Sequence, residues 1–116
     1  MIEQKIKALM PTGVPSVIGD LPGTSSNLVG IRLLDGGETN EYFGTDTIFH
    51  PVIKFVARHD SYETMREWIE AIKKTFHQYN DDYFMGIHLV GYPMYLGRGE
   101  QKLHEMQISF RINVKE

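Results

Sequence analysis

The stretch HEMQISFRINVKE, residues 104–116, decides the fold. Met106, Ile108, Phe110, Ile112 and Val114 alternate with Gln107, Ser109, Arg111, Asn113 and Lys115. Successive side chains of a strand point to opposite faces. A period of two therefore marks a strand with one face on a core and the other in water. One-sided packing is typical of antiparallel sheets, and YFMGIHLVG, residues 83–91, is the expected partner.

Working back from there, HDSYETMREWIEAIKKTFHQY, residues 59–79, carries the helical period. Met65, Trp68, Ile69, Ile72, Phe76 and Tyr79 recur at the spacing of one helix face. Asp60 with Glu63 resembles a capping box, Ser61 is the competing N-cap, and Asn80-Asp81-Asp82 closes the helix. PVIKFVAR, residues 51–58, reads as a strand covered on most of both faces, with proline tolerated at its start. NLVGIRLL, residues 27–34, reads as a strand with Val29, Ile31 and Leu33 on one side, ended by a turn at Asp35-Gly36-Gly37. At the start, IEQKIKALM places Ile2, Ile6, Leu9 and Met10 on one helical face, and Pro11 ends that helix. Residues 11–27 are irregular, with Val17, Ile18 and Leu21 as a short strand or as anchors.

The order helix, strand, strand, helix, strand, strand predicts an α/β (α+β) fold, one domain over residues 1–116. It has a single mixed, mainly antiparallel sheet of about four strands, with two helices packed on one face. Trp68, Ile72, Phe110 and Ile112 then meet in the core, and the helix between the second and third strands makes that pair a candidate crossover.

Bulk composition narrows the function. A length of 116 residues, 41% hydrophobic and 23% charged, fits one folded domain rather than disordered chain. A net charge of −3 argues against binding nucleic acid by phosphate neutralisation. The absence of cysteine removes disulfides, thiolate chemistry and Cys-type zinc sites. No apolar run reaches the roughly 18 residues of a membrane span. MIEQKIKALM mixes charges into its apolar residues, unlike a signal peptide, which predicts folding in the cytoplasm.

Catalytic patterns are weak. Arg58-His59-Asp60-Ser61 holds the residue types of nucleophilic catalysis, but triads converge from different elements, and a strand end with a helix cap explains the run. His50, His59, His77, His88 and His104 form no i, i+4 pair and no H-E-x-x-H. Asp35, Glu38, Glu41 and Asp46 lack the register of a calcium loop and read as a solvated acidic surface. Gly97-Arg98-Gly99 reads as a hairpin-type turn, not a phosphate loop. No catalytic residue, metal ligand or cofactor site is assigned, and the expectation is a protein that is not an enzyme.

Three connections, 11–27, 35–51 and 91–103, are long for this chain, and long loops in small domains tend to carry function. Two hold large apolar residues: Tyr42, Phe43, Ile48 and Phe49 in one, Tyr92, Met94, Tyr95 and Leu96 in the other, with Arg98 beside them. Either these side chains dock on their own core or a partner covers them. They are the candidate interface.

Three segments together resemble the minor capsid or tail-terminator (tail-to-head joining) proteins of long-tailed bacteriophages. HPVIKFVARHDSYETMREWIEAIKKTF is similar to the family's proline, apolar strand, arginine and amphipathic helix. YPMYLGRGEQKLHEMQISFRINV is similar to its aromatic-Leu-Gly-Arg turn and alternating terminal strand. PSVIGDLPGTSSNLVGIRLLDGG resembles its Pro/Gly-rich lead into one strand ending in glycines. Gly99 departs from the pattern, where an acidic residue is expected.

The resemblance implies a virion structural protein, phage or prophage encoded and made in the cytoplasm of a bacterial host. It implies self-assembly into a ring, typically a hexamer, that caps the tail tube and joins it to the head completion or connector protein. DNA passes through without specific binding, and no membrane and no cofactor are involved. The competing readings are a non-phage small-molecule or protein-binding module of α/β fold and a hydrolase using His59 or His88.

Overall fold

The computed structural model describes residues 2–19, 21, 27–41, 47–98 and 103–115. The elements in chain order are α1 (Ile2–Ala8), β1 (Ser16–Ile18), β2 (Leu28–Glu41), β3 (Thr47–His59), α2 (Tyr62–Phe76), β4 (Phe84–Leu89), β5 (Met94–Arg98) and β6 (His104–Lys115). The alternating stretch is indeed one strand. Met106, Ile108, Phe110, Ile112 and Val114 are all buried, while the residues between them are half-buried or exposed.

β6 is central, not peripheral. It pairs antiparallel with β3 on one side and with both β4 and β5 on the other. The expected pairing with residues 83–91 holds, from Phe84↔Val114 to Leu89↔Phe110. The sheet has six strands rather than four, in the order β1-β2-β3-β6-β4 with β5 also on β6. The two additional strands are β1, parallel to β2 from Ser16↔Val29 to Ile18↔Ile31, and β5, inside the connection expected to be a loop. β4 and β5 run in sequence along one edge of β6, interrupted at residues 91–93, and the amide of Val90 still donates to the Ser109 carbonyl at 2.9 Å. β3 and β4, both antiparallel to β6, are parallel to each other and joined through α2, which makes the anticipated crossover.

The largest departure concerns residues 35–51. Asp35-Gly36-Gly37 does not end β2. The β2–β3 ladder runs from Leu28↔Arg58 to Leu34↔Val52, shifts, and resumes from Glu38↔His50 to Glu41↔Thr47. At the shift, residues 35–37 face the single residue Pro51. Proline has no N–H to give a ladder, and glycine tolerates the unusual backbone of a bulge. The local chemistry that signals a turn here makes a bulge within a long hairpin. Its far part, hereafter the arm, is flanked by β6 only at Phe49↔Val114 and Ile48↔Lys115. It contributes to a molecule of 51 × 24 × 23 Å.

Both helices feed one core cluster. Ile6 of α1 joins Val29, Ile31, Ile53 and Phe55 of the sheet, together with Met65, Ile69, Ile72 and Phe76 of α2. The Phe55 ring stacks on Phe76 at 5.3 Å and meets Phe110 edge-on at 5.8 Å. Burying one such side chain contributes about 1.5–3 kcal/mol. Trp68, placed in the core by its spacing, is only partly buried and packs edge-on against His59 at 4.8 Å. β3 is fully covered on one face and partly on the other: Ile53, Phe55 and Ala57 are buried, and Val52, Lys54, Val56 and Arg58 are half-buried.

Ser61, not Asp60, caps α2, and its Oγ accepts from the Thr64 amide at 3.3 Å. α2 stops at Phe76, before Asn80-Asp81-Asp82. Gln78 then takes the left-handed conformation at φ 63°, so the chain reverses and Tyr79 bridges to Ile87.

Candidate functional site

Tyr62 opens α2 beside the end of β3, where β5 and the start of β6 also meet. Its ring stands edge-on to Tyr95 at 5.4 Å and to His104 at 5.6 Å. The Tyr95 hydroxyl and His104 Nδ1 are 2.7 Å apart, a hydrogen bond that locks both rings. The Arg66 guanidinium lies 6.0 Å from the centre of the Tyr62 ring. Along this side of α2 runs an open groove of about 430 Å³, lined by Tyr62, Arg66, Lys73, Tyr92, Pro93 and Tyr95 among others. Tyr92 is 91% exposed, so its ring finds no cover among the described residues.

The candidate residues divide into two groups. Tyr92 and Tyr95 share the groove with Tyr62, which sequence spacing assigns only to a helix start. Met94, opposite Gln107, lies on the other face of the sheet, where its Sδ accepts from Gln107 Nε2 at 3.7 Å. Leu96 is the extra residue of a bulge between Tyr95↔Met106 and Gly97↔Glu105, with Gly97 at φ +92°. The Gly97-Arg98 pair is thus part of a bulged strand rather than a hairpin turn, and Arg98 stands opposite His104. The structure therefore neither buries this set nor sends it back to the core: Met94, Tyr95 and Leu96 stay exposed.

The second group is at the other end of the sheet. Ile48 and Phe49 lie in the arm, in register with Asn40 and Thr39 of β2. Tyr42 and Phe43 fall outside the described residues, as does Asp46; Asp35, Glu38 and Glu41 belong to β2. From Phe49, beside Val114, to Ala57, beside Met106 at the groove, β3 runs eight residues. At ~3.4 Å per residue the two groups are roughly 27 Å apart.

Near the root of the arm, the Asp81 carboxylate organises the lead into β4. It accepts from the amides of Phe84 at 2.7 Å and Tyr83 at 2.8 Å, and from the Tyr79 hydroxyl at 2.8 Å. These donors, Phe84 first, hold its pKa below the ordinary carboxylate value. The same bond to Asp81 raises the Tyr79 phenol.

The face of the sheet away from the helices carries Arg32, Lys54, Arg58 and Arg111. Arg58 Nε pairs with Glu105 Oε1 at 3.3 Å. Residues 19 and 21 fold over this face at Gly30 and close a hollow of about 210 Å³ with Arg32, Lys54 and Arg58.

The sequence run Arg58-His59-Asp60-Ser61 forms a strand end and a helix cap. Ser61 Oγ is engaged in the helix cap, and His59 Nδ1 accepts from the Ser61 amide at 2.8 Å. Among the described residues no group of His, Asp and Glu converges to hold a metal ion, and no helix is long and apolar enough to cross a membrane.

A family model described as bacteriophage tail terminator protein matches residues 2–116. No curated protein matches the sequence. A chain of the solved structure titled "Virion of native gene transfer agent (GTA) particle" is similar in fold, with a TM-score of 0.52 and 14% identity over 96% of this chain and 84% of that one.

Proposed function

The chain belongs to the bacteriophage tail terminator family, and from that membership we propose that its copies close into a ring, a hexamer, on the head-proximal end of the tail tube. As a family member it is a structural component of the virion that completes the tail. The finer reading is that the ring stops tube polymerisation and offers a seat for the head completion or connector protein. DNA passes through its lumen without specific binding, and no reaction is catalysed.

The family match over residues 2–116 carries this reading. The exposed aromatics support it: a heterologous ring needs one patch on each subunit that meets a different patch on the next. Tyr92, Met94, Tyr95, Leu96 and Arg98 form the candidate patch at one end and Ile48 and Phe49 the one at the other, the further candidates Tyr42 and Phe43 lying outside the described residues. Tyrosine and methionine suit such surfaces, being amphipathic or adaptable.

Purified chain added to growing tail tubes tests the proposal. Negative-stain images are expected to show a ring at one tube end and arrested growth. Tubes that lengthen unchecked with bare ends would overturn the role.

A further inference from the structure

We propose that the arm of one copy, β2 and β3 beyond the Gly36-Gly37/Pro51 bulge, docks in the tyrosine groove of the next copy, along the outer edge of β5. The inference rests on the ring reading and names the surfaces that would make it. Three observations converge on it.

The first is chemistry. The arm carries Glu38 and Glu41, Asp35 precedes it at the bulge, and no lysine or arginine occurs between Asp35 and Ile53. Its sequence also holds Ile48 and Phe49. The groove presents exposed tyrosines flanked by Arg66 and Lys73, with Glu70 as the one acid of its lining. An acidic, apolar ribbon and a basic, aromatic groove are complementary in both respects.

The second is position. Arm and groove stand at opposite ends of β3, roughly 27 Å apart at ~3.4 Å per residue. One copy cannot bring its own arm to its own groove. The match is satisfied only between copies, head to tail, and contacts of that kind close into rings when the rotation permits.

The third is the backbone. Among the described residues β5 pairs only with β6, and β2 beyond Ile31 pairs only with β3. Each leaves a strand edge open. An edge such as Met94-Tyr95-Leu96, with large exposed side chains, invites pairing with another chain. The neighbour's arm supplies a ribbon with an open edge of its own.

Charge reversal in the full chain tests this. An arm-reversed variant, Glu38→Lys with Glu41→Lys, and a groove-reversed variant, Arg66→Glu with Lys73→Glu, are each expected to self-associate at least roughly tenfold more weakly in sedimentation velocity. Mixed in equal amounts, they are expected to associate again, because each reversed surface then finds its complement. The chain has no cysteine of its own. Glu41→Cys mixed with Tyr92→Cys is therefore expected to form disulfide-linked pairs on mild oxidation, and Glu41→Cys mixed with Lys54→Cys is not.

Circular dichroism checks that each variant folds. If a charge-reversed chain does not, the cysteine pairs decide alone. Reversed variants that each form rings as strongly as the wild type overturn the docking and leave the ring reading intact. So does cross-linking to Lys54→Cys, which would place the arm on the open sheet face, or to a tube protein alone. A wild-type chain that stays monomeric at high concentration and on tube ends removes the ring reading and the docking together.

Discussion

The two faces of the sheet are built from the same strands and differ in almost every property. On the helix side Ile53, Phe55, Ile108, Phe110 and Ile112 are fully covered and the rings of Phe55, Phe76 and Phe110 are in contact. On the other side Lys54, Ser109 and Arg111, their immediate neighbours in sequence, are half-buried or exposed. The contrast assigns the work. Stability resides on the helix face, where each ring leaves water completely, and the open face contributes little to folding and is free to change with solubility or partners.

Replacing one residue on each face would break or sharpen that contrast. Phe110→Ala removes a ring from the centre of the core and is expected to destabilise by about 3–5 kcal/mol in chemical denaturation. A loss under about 1 kcal/mol would mean that the core is not where this packing puts it. Gly30→Val tests a place where the open face is covered, by residues 19 and 21. A Cβ at Gly30 would sit 3.0 Å from the Gly19 carbonyl oxygen and 3.2 Å from Leu21 Cγ. A destabilisation of about 1–3 kcal/mol is expected from that crowding. A neutral result would mean that the covering segment moves aside freely.

Asp81→Asn probes the turn that carries the chain from α2 into β4. Its hydrogen bonds are on the surface, so the expected loss at neutral pH is only about 1 kcal/mol. Because the Asp81 pKa is depressed on folding, its contribution is present above the unfolded carboxylate value. It fades as pH falls through the folded value. The gap between wild type and Asp81→Asn should therefore close on acidification, and a gap that stays constant would assign the effect to packing. Smallest of all, Arg111→Ala lies one residue from Phe110 on the open face. It is expected to change stability by less than about 0.5 kcal/mol. A large loss there would erase the distinction between the faces.

Much of this architecture is legible in local patterns. The period of two in residues 104–115 and the helical period of Met65, Ile69, Ile72 and Phe76 name the core residues correctly, because both follow from the geometry of a single element. Trp68 and Tyr79 fit the same helical stripe yet are only partly buried; Trp68 packs against His59 instead, and α2 ends before Tyr79. Ser61 and Asp60 are both good caps by composition, and only the backbone shows which hydroxyl or carboxylate meets the Thr64 amide.

The candidate interface was half legible. Large apolar residues between regular segments single out Tyr92, Tyr95 and the arm. Nothing in sequence joins Tyr62 to Tyr95 or His104, which are separated by a whole helix and strand but touch in the fold. One signal was there to use: Tyr62 lies off the buried stripe of α2, at the end where β3 finishes.

Sequence alone determined which side chains of β6 face the core and most of those of α2, since burial on one side of a strand or helix is written in the spacing of its own residues. Tertiary structure decided what the interruptions mean. Gly36-Gly37 and Pro51 look like an end and a beginning, and they are the two sides of one bulge. It also decided that Phe49 and the tyrosine groove stand toward opposite ends of β3. Register and pairing belong to two segments at once, so neither segment can specify them by itself.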